Sequence, residues 1–259
     1  MLVKKGFFSS REKARRAILA GQVRVDGQLV QKAGWQVKGE PKIEVESSAP
    51  FVSRGGRKLI HALDYFQIEV EGKVCLDAGV GTGGFTDCLL KRGADLVIAV
   101  DVGYGQVAWS LRNHPRVFLL ERRNIRYLKN EEIPKRPDFV VGDLSFISIK
   151  KVFLNLRSLA KPSAHFLFLV KPQFEVGKGK VGKGGIVKDP NLHHEVLTDM
   201  TNYFSQQGYQ VALTYSPLKG RDGNIEFFAY LLPSSEPGLA FEEIDEVIAE
   251  AHQKARLEG

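Results

Sequence analysis

Between residues 74 and 170, short apolar runs alternate with amphipathic stretches, and that alternation restricts the fold of this 259-residue chain most strongly. The runs lie at 74–78, 96–101, 117–120, 138–141 and 165–170. Helical patterns at 85–92, 149–159 and 190–207 separate or follow them. A strand that is apolar along its whole length is buried on both faces, which implies a parallel sheet covered by helices on both sides. Two late runs, 209–215 and 226–232, follow one another without a helix, so an antiparallel edge is expected there. The acidic stretch 239–256 reads as a surface helix. With 43% hydrophobic and 26% charged residues the chain is globular, and no apolar run nears the ~18 residues of a membrane span. The opening residues do not form a signal peptide, so a cytoplasmic location is expected. Cys75 and Cys88 are too few for a disulfide scaffold or a four-cysteine zinc site. No histidine spacing suits a metal, so no catalytic metal is expected.

Charge is distributed unevenly. The first 58 residues hold 13 Lys/Arg against 5 Asp/Glu, whereas residues 234–259 hold 2 against 7. A basic first fifth on a nearly balanced body points to a polyanion-binding module. In that module Ser9 or Ser10 can cap a helix whose buried stripe is Ala14, Ala17 and Ile18, ending at Gly21. Residues 23–25 and 29–30 read as a hairpin about Asp26-Gly27, with further short strands at 34–37 and 42–45. Ser10-Arg11, Ala14, Ile18, Gly21-x-Val23-x-Val25, Gly27 and Gly34-x-x-Val37 resemble the small RNA-binding domain of ribosomal protein S-four. That resemblance implies an RNA-facing surface of Arg11, Lys13, Arg15, Arg16 and Arg24.

Leu76-Asp77-Ala78-Gly79-Val80-Gly81-Thr82-Gly83-Gly84-Phe85 joins the first strand of the alternation to its helix, the place of a cofactor loop. Gly79-x-Gly81-x-x-Gly84 fits a dinucleotide fingerprint, and Asp77-x-Gly79-x-Gly81-x-Gly83 resembles motif I of S-adenosylmethionine-dependent methyltransferases. Asp101, at the end of the next strand, can accept ribose hydroxyls of either cofactor. Asp77 separates the two, because a carboxylate there repels a pyrophosphate and suits an ammonium and a sulfonium. Asn124, after the third strand, is placed for the adenine or, equally, for capping a helix.

The acceptor is constrained by what is missing. The Asp/Asn/Ser-Pro-Pro-aromatic motif of amino-group methyltransferases is absent from Asp143-Leu144-Ser145-Phe146, and both cysteines sit where core residues belong. An oxygen acceptor remains. Lys58, Asp143, Lys171 and Glu226 lie at element ends and together resemble the Lys-Asp-Lys-Glu tetrad of ribose 2′-O-methyltransferases. A lysine acts as a base only after losing its proton. Burial and a second ammonium favour that loss, and neighbouring carboxylates oppose it. Lys171 is taken as general base, Asp143 as its orienter, and Lys58 and Glu226 as support. The basic loop 177–185, with Lys178 and Lys180, suits a lid over RNA phosphate.

Phe51-Val52-Ser53-Arg54-Gly55-Gly56, Thr82-Gly83-Gly84-Phe85-Thr86-Asp87, Asp143-Leu144-Ser145-Phe146-Ile147-Ser148 and Lys171-Pro172-Gln173-Phe174-Glu175 resemble the TlyA/haemolysin A family over essentially the whole chain. The resemblance implies a Rossmann-like class I methyltransferase α/β sheet, mostly parallel, with a small N-terminal α+β RNA-binding domain. It implies cytidine 2′-O-methylation of ribosomal RNA with S-adenosylmethionine, and ribosomal RNA or ribosomal subunits as partners. The expected division is 1–46 for RNA binding, 47–57 as linker and 58–259 for catalysis. The alternatives are a non-catalytic RNA-binding assembly factor and a pore-forming haemolysin, the latter unsupported by any amphipathic or apolar segment suited to a pore.

Overall fold

The structure is a computed structural model and describes the chain except for residues 9, 20, 31, 36, 38, 40, 46–49, 178, 239–241, 258 and 259, with only the backbone at 183 and 257. At the N-terminus, helix α1 (Arg11–Leu19) buries Ala14, Ala17 and Ile18. It packs on strands β1 (Val23–Val25), β2 (Gln28–Leu29) and β3 (Ile43–Val45), an antiparallel sheet in the order β2-β1-β3. Ser10 Oγ accepts from Lys13 N at 3.2 Å, the capping bond expected of a serine before a helix. The β1–β2 turn has φ of 51° at Asp26 and 79° at Gly27, the left-handed pair that an Asp-Gly hairpin requires. No strand occurs at 34–37 among the described residues. Trp35 N bonds back to Lys32 O there and turns the chain instead.

The second unit begins with helix α2 (Arg54–Tyr65) and continues through β4 (Val74–Ala78), α3 (Gly84–Lys91), β5 (Leu96–Val100), α4 (Trp109–Arg112), β6 (Val117–Leu120) and β7 (Phe139–Gly142). Then come α5 (Lys150–Leu159), β8 (His165–Val170), α6 (Pro172–Glu175), α7 (Pro190–Gln206), β9 (Tyr209–Tyr215), β10 (Phe227–Pro233) and α8 (Ile244–Leu257). The seven strands run β6-β5-β4-β7-β8-β10-β9. Only β10 is reversed, pairing antiparallel with both β8 and β9. The reversed strand is thus one position inside the edge and β9 is the edge itself, because a hairpin joins neighbours without a crossover. Side-chain alternation splits the core. Val74, Leu76 and Ala78 of β4 pack with Phe153, Leu197 and Phe204, while Cys75 packs with Leu59, Leu63 and Leu89 of α2 and α3. Strands β4, β5, β7 and β8 all end at one edge, so Gly79, Asp101, Asp143 and Lys171 leave the sheet together.

The segment 47–57, read from sequence as a linker, is helical from Arg54. Ser53 caps α2 by accepting from Gly55 N at 3.3 Å. Ahead of it Phe51 is buried, Val52 N donates to Asp87 Oδ2 at 2.8 Å, and Lys91 Nζ donates to Pro50 O at 2.7 Å. Gly55-Gly56 disguises this helix in the sequence, since glycine is a poor helix former. The structure uses them for close approach. A Cβ on Gly56 would lie 2.3 Å from Phe51 Cγ, and one on Gly84 would lie 2.8 Å from Gly56 N. Gly56→Ala should therefore overpack this junction by about 1–3 kcal/mol, a fall in Tm of about 2–4 °C per kcal/mol. Thermal melts read it, and an unchanged Tm would show that Phe51 moves freely.

Candidate active site

The turn between β4 and α3 is built on glycines with positive φ: 87° at Gly79, 53° at Gly81 and 98° at Gly83. Gly79 also passes so close to the β7 exit that a Cβ would sit 2.9 Å from Asp143 O. At Gly81 a Cβ would meet nothing within 4 Å, so the loop opens to free space at that point. Asp101 ties the loop to β5: its Oδ2 accepts from Gly81 N and its Oδ1 from Gly103 N, both at 2.7 Å. Each of those oxygens keeps a second lone pair for a ribose hydroxyl. Asp77 lies beneath the loop and is fully buried. One oxygen accepts from Thr86 Oγ1 at 2.7 Å and the other has no hydrogen-bond partner. Burial, aided by the neighbouring Asp143 and Asp101 carboxylates, pushes its pKa up to about 7.

Beside the loop the four charged residues form two ion pairs. Lys58, on the buried face of α2, binds Glu226 just before β10, and both side chains are withdrawn from solvent. Burial raises the Glu226 pKa. Lys58 and Lys171 oppose that rise, and Asp143 adds to it, so the two pairs sense one another electrostatically. Lys171 Nζ lies 2.7 Å from Asp143 Oδ1, at an angle too bent for a hydrogen bond, and donates to Ser145 Oγ at 2.8 Å. Cys75 and Cys88 are fully buried, and burial pushes both thiols up to about 12, which leaves no thiolate for base-carbon methylation.

A glycine cradle at the carboxyl edge of β4, with an acidic residue after β5, is a methyltransferase arrangement, and the comparisons agree. A family model described as FtsJ-like methyltransferase matches residues 51–232, and one described as S4 domain matches residues 1–41. The chain belongs to the FtsJ-like methyltransferase family. It is 46% identical over 253 residues to the 16S/23S rRNA (cytidine-2′-O)-methyltransferase TlyA of Mycobacterium tuberculosis, covering 96% of this chain and 94% of that protein. It is 42% identical over 236 residues to Hemolysin A of Brachyspira hyodysenteriae, covering 88% and 95%. Among solved structures, a protein named as a hemolysin from Streptococcus thermophilus matches with a TM-score of 0.79 at 37% identity, covering 99% of this chain and 95% of that one.

The cofactor of this methyltransferase family is S-adenosylmethionine, and the residues present fit it. Asp77, Asp101 and Asp143 lie about an open glycine cradle; Asp77 Oδ1 has no hydrogen-bond partner and each Asp101 oxygen accepts only one hydrogen bond, a setting that suits a ligand carrying an ammonium and ribose hydroxyls. Asn124 is exposed, and its Oδ1 accepts from Arg126 N at 3.0 Å, so it caps a turn. On α1, Arg11, Lys13 and Arg15 are exposed, while Arg16 pairs with Glu12 at 2.5 Å. Arg24 is half-buried and donates to Gly27 O at 3.2 Å. Lys178 lies outside the described residues. Lys180 is bound by Glu195 of α7, a pairing between loop and helix that the sequence does not announce. Sequence reasoning also missed Phe146. It is 90% exposed, has φ of 64° and lies with its ring centroid 5.1 Å from that of Phe174. Such a backbone is rare for a bulky residue and costs about 1–3 kcal/mol. The only sequence signal was an aromatic in the loop after Asp143.

The raised pKa of Asp77 makes stability depend on pH. The folded state holds the proton up to about pH 7, and the unfolded state releases it near the ordinary carboxyl value. Asp77 therefore stabilises the fold at low pH, and that contribution is lost as pH rises through 7. Asp77→Asn, which stays neutral, should improve relative to the parent between pH 4 and 8. Urea melts across that range check this, and a parallel pH dependence of the two proteins would contradict it.

Proposed function

We propose that this chain transfers a methyl group from S-adenosylmethionine to the 2′-hydroxyl of a cytidine in ribosomal RNA, with ribosomal subunits as the natural substrate. The observation that carries this reading is the pair of ion pairs, Lys58–Glu226 and Lys171–Asp143, at the strand edge beside the glycine cradle. The identity to a named cytidine-2′-O-methyltransferase along nearly the whole chain supports the same reaction. Among the described residues no helix is long and apolar enough to cross a membrane, so the hemolysin names of two relatives gain no support from a helical pore.

In this reading the cradle of Gly79, Gly81 and Gly83 receives the cofactor, with Asp101 on its ribose, Asp77 acting from beneath the loop and Asn124 at the adenine side. When bound, S-adenosylmethionine supplies an electrophilic methyl group. Lys171 serves as the general base. As a neutral amine it keeps Ser145 as acceptor for one N–H and turns its lone pair to the ribose hydroxyl, whose proton it takes. Asp143 holds the amine in place and stabilises the ammonium that results. Lys58 and Glu226 neutralise one another and fix the wall of the site. Phe146 offers a face on which the base of the target nucleotide stacks, which is how single nucleotides of RNA are commonly held.

Residues 1–46 contribute RNA affinity through Arg11, Lys13, Arg15, Arg16 and Arg24, and Lys178 and Lys180 add phosphate contacts from the loop after α6. Residues 58–259 carry the chemistry.

Lys171→Arg tests the role of the base. A guanidinium keeps its proton, so single-turnover methyl transfer at saturating RNA should fall by about 10²–10⁴-fold. S-adenosylmethionine affinity by calorimetry should be preserved. A near-normal rate would reduce Lys171 to a phosphate ligand. Asp101→Ala should instead weaken cofactor binding, since a hydrogen bond to a charged group contributes about 1.5–3 kcal/mol. Unchanged affinity by calorimetry would place the ribose elsewhere.

A further inference from the structure

The carboxyl edge of the sheet continues past the cofactor cradle onto a surface that methyl transfer itself does not use. Between residues 102 and 130 the chain carries Arg112, Arg116, Arg122, Arg123, Arg126 and Lys129 against a single acid, Glu121. Glu121 is already occupied by Arg112 at 2.5 Å and by Gly105 N at 2.7 Å. Arg123 pairs with Glu132 at 3.2 Å. Arg122 and Arg126 are exposed and form no ion pair within 4 Å among the described residues, although Arg122 adds to the positive field that lowers the Glu121 pKa. Tyr104 is 64% exposed, and Trp109, three residues before Arg112 on α4, is 79% exposed. The Arg122 guanidinium lies 4.3 Å from the Tyr104 ring centroid, and that of Arg112 lies 5.8 Å from it.

This surface is fixed to the cradle. Arg122 N donates to Gly103 O at 3.0 Å and Arg123 N to Asp101 O at 2.9 Å, which laces the exit of β6 to the Asp101 turn. Ala108 N donates to Thr82 O at 3.1 Å, so Trp109, the first residue of α4, follows directly on a bond to the glycine loop. Large aromatic rings held outward on a braced backbone, among guanidinium groups that outnumber the local carboxylates, offer flat faces and positive charge together. Unpaired nucleic-acid bases stack on such faces whatever their sequence, and the phosphates between them answer the charge. The sign of the charge selects a polyanion over an apolar or basic protein surface.

We propose that Tyr104, Trp109 and Arg122 form a stacking platform for unpaired RNA bases that flank the methylated nucleotide. The proposal rests on the RNA-methylation reading above and extends it to the strand around the target. Trp35 and Trp109 are the two tryptophans of the chain, so Trp35→Phe leaves Trp109 as the reporter.

In that background an unpaired oligoribonucleotide of about 12 nucleotides, a length within the range that stacking platforms cover, should quench Trp109 emission on binding. Tyr104→Ala with Trp109→Ala should weaken that binding about tenfold or more, as the loss of stacked bases does elsewhere. The slope of log K against log salt should stay the same in this variant, whereas Arg122→Gln should make it shallower by about 0.7. S-adenosylmethionine affinity should stay within about twofold throughout. Unquenched Trp109 emission at saturating RNA, together with unchanged affinity in the double variant, would overturn the platform. So would a Trp109→Ala protein that sediments as a smaller oligomer than the parent, since the face would then be an interface between copies. A parent protein that binds cofactor and RNA but transfers no methyl group would sink the reaction while leaving the quenching result standing.

Discussion

The buried ion pair between Lys58 and Glu226 joins two residues 168 positions apart in the chain, one on helix α2 and the other leading into the reversed strand β10. Removing a single partner of such a pair leaves the other charge stranded and costs about 3–5 kcal/mol. The pair therefore holds α2 against β10 as well as placing charge at the site. It depends in turn on the glycine contacts that let α2 approach: Gly56 beneath Phe51, and Gly84 of α3 against Gly56. A cofactor loop, a helix N-terminus and a reversed strand are thereby brought to one place, and Lys171 and Asp143 arrive there from β8 and β7.

The parallel part of the sheet supplies the rest. Each crossover returns the chain in the same direction, so every parallel strand delivers its last residue to the same edge. Carboxylates collect around the glycine cradle, and guanidinium and ammonium groups collect on α1 and beyond β6. In the proposed reading the two ligands are thereby separated by the sign of the charge, and the Lys171–Asp143 pair brings one group of each sign to the site.

Much of this was legible in the sequence because it rests on periodicity. The strands at 117–120, 165–170 and 209–215 have the bounds that apolar continuity assigns them, and the cradle falls between strand and helix as its glycines require. Chemistry that depends on relative depth was not legible. Asp77 reads as a motif carboxylate, but that its place within β4 buries it against Thr86 and raises its pKa follows from the packing alone. Helix α2 was concealed by Gly55-Gly56, whose purpose is a contact with residues far along the chain. Phe146 was hidden for a related reason: a left-handed backbone at a phenylalanine follows from the loop's packing and has no local sequence signature. The pairing of Lys180 with Glu195 likewise depends on where a loop lies over α7.

The most direct test of the account is to incubate the protein with deproteinised ribosomal RNA or isolated ribosomal subunits and S-adenosylmethionine carrying a labelled methyl group, and then to digest the RNA to nucleosides. The account predicts label in 2′-O-methylcytidine, with the neighbouring phosphodiester resistant to alkali because the 2′-hydroxyl is blocked. Label on a base, or no label in RNA from either substrate, would contradict it.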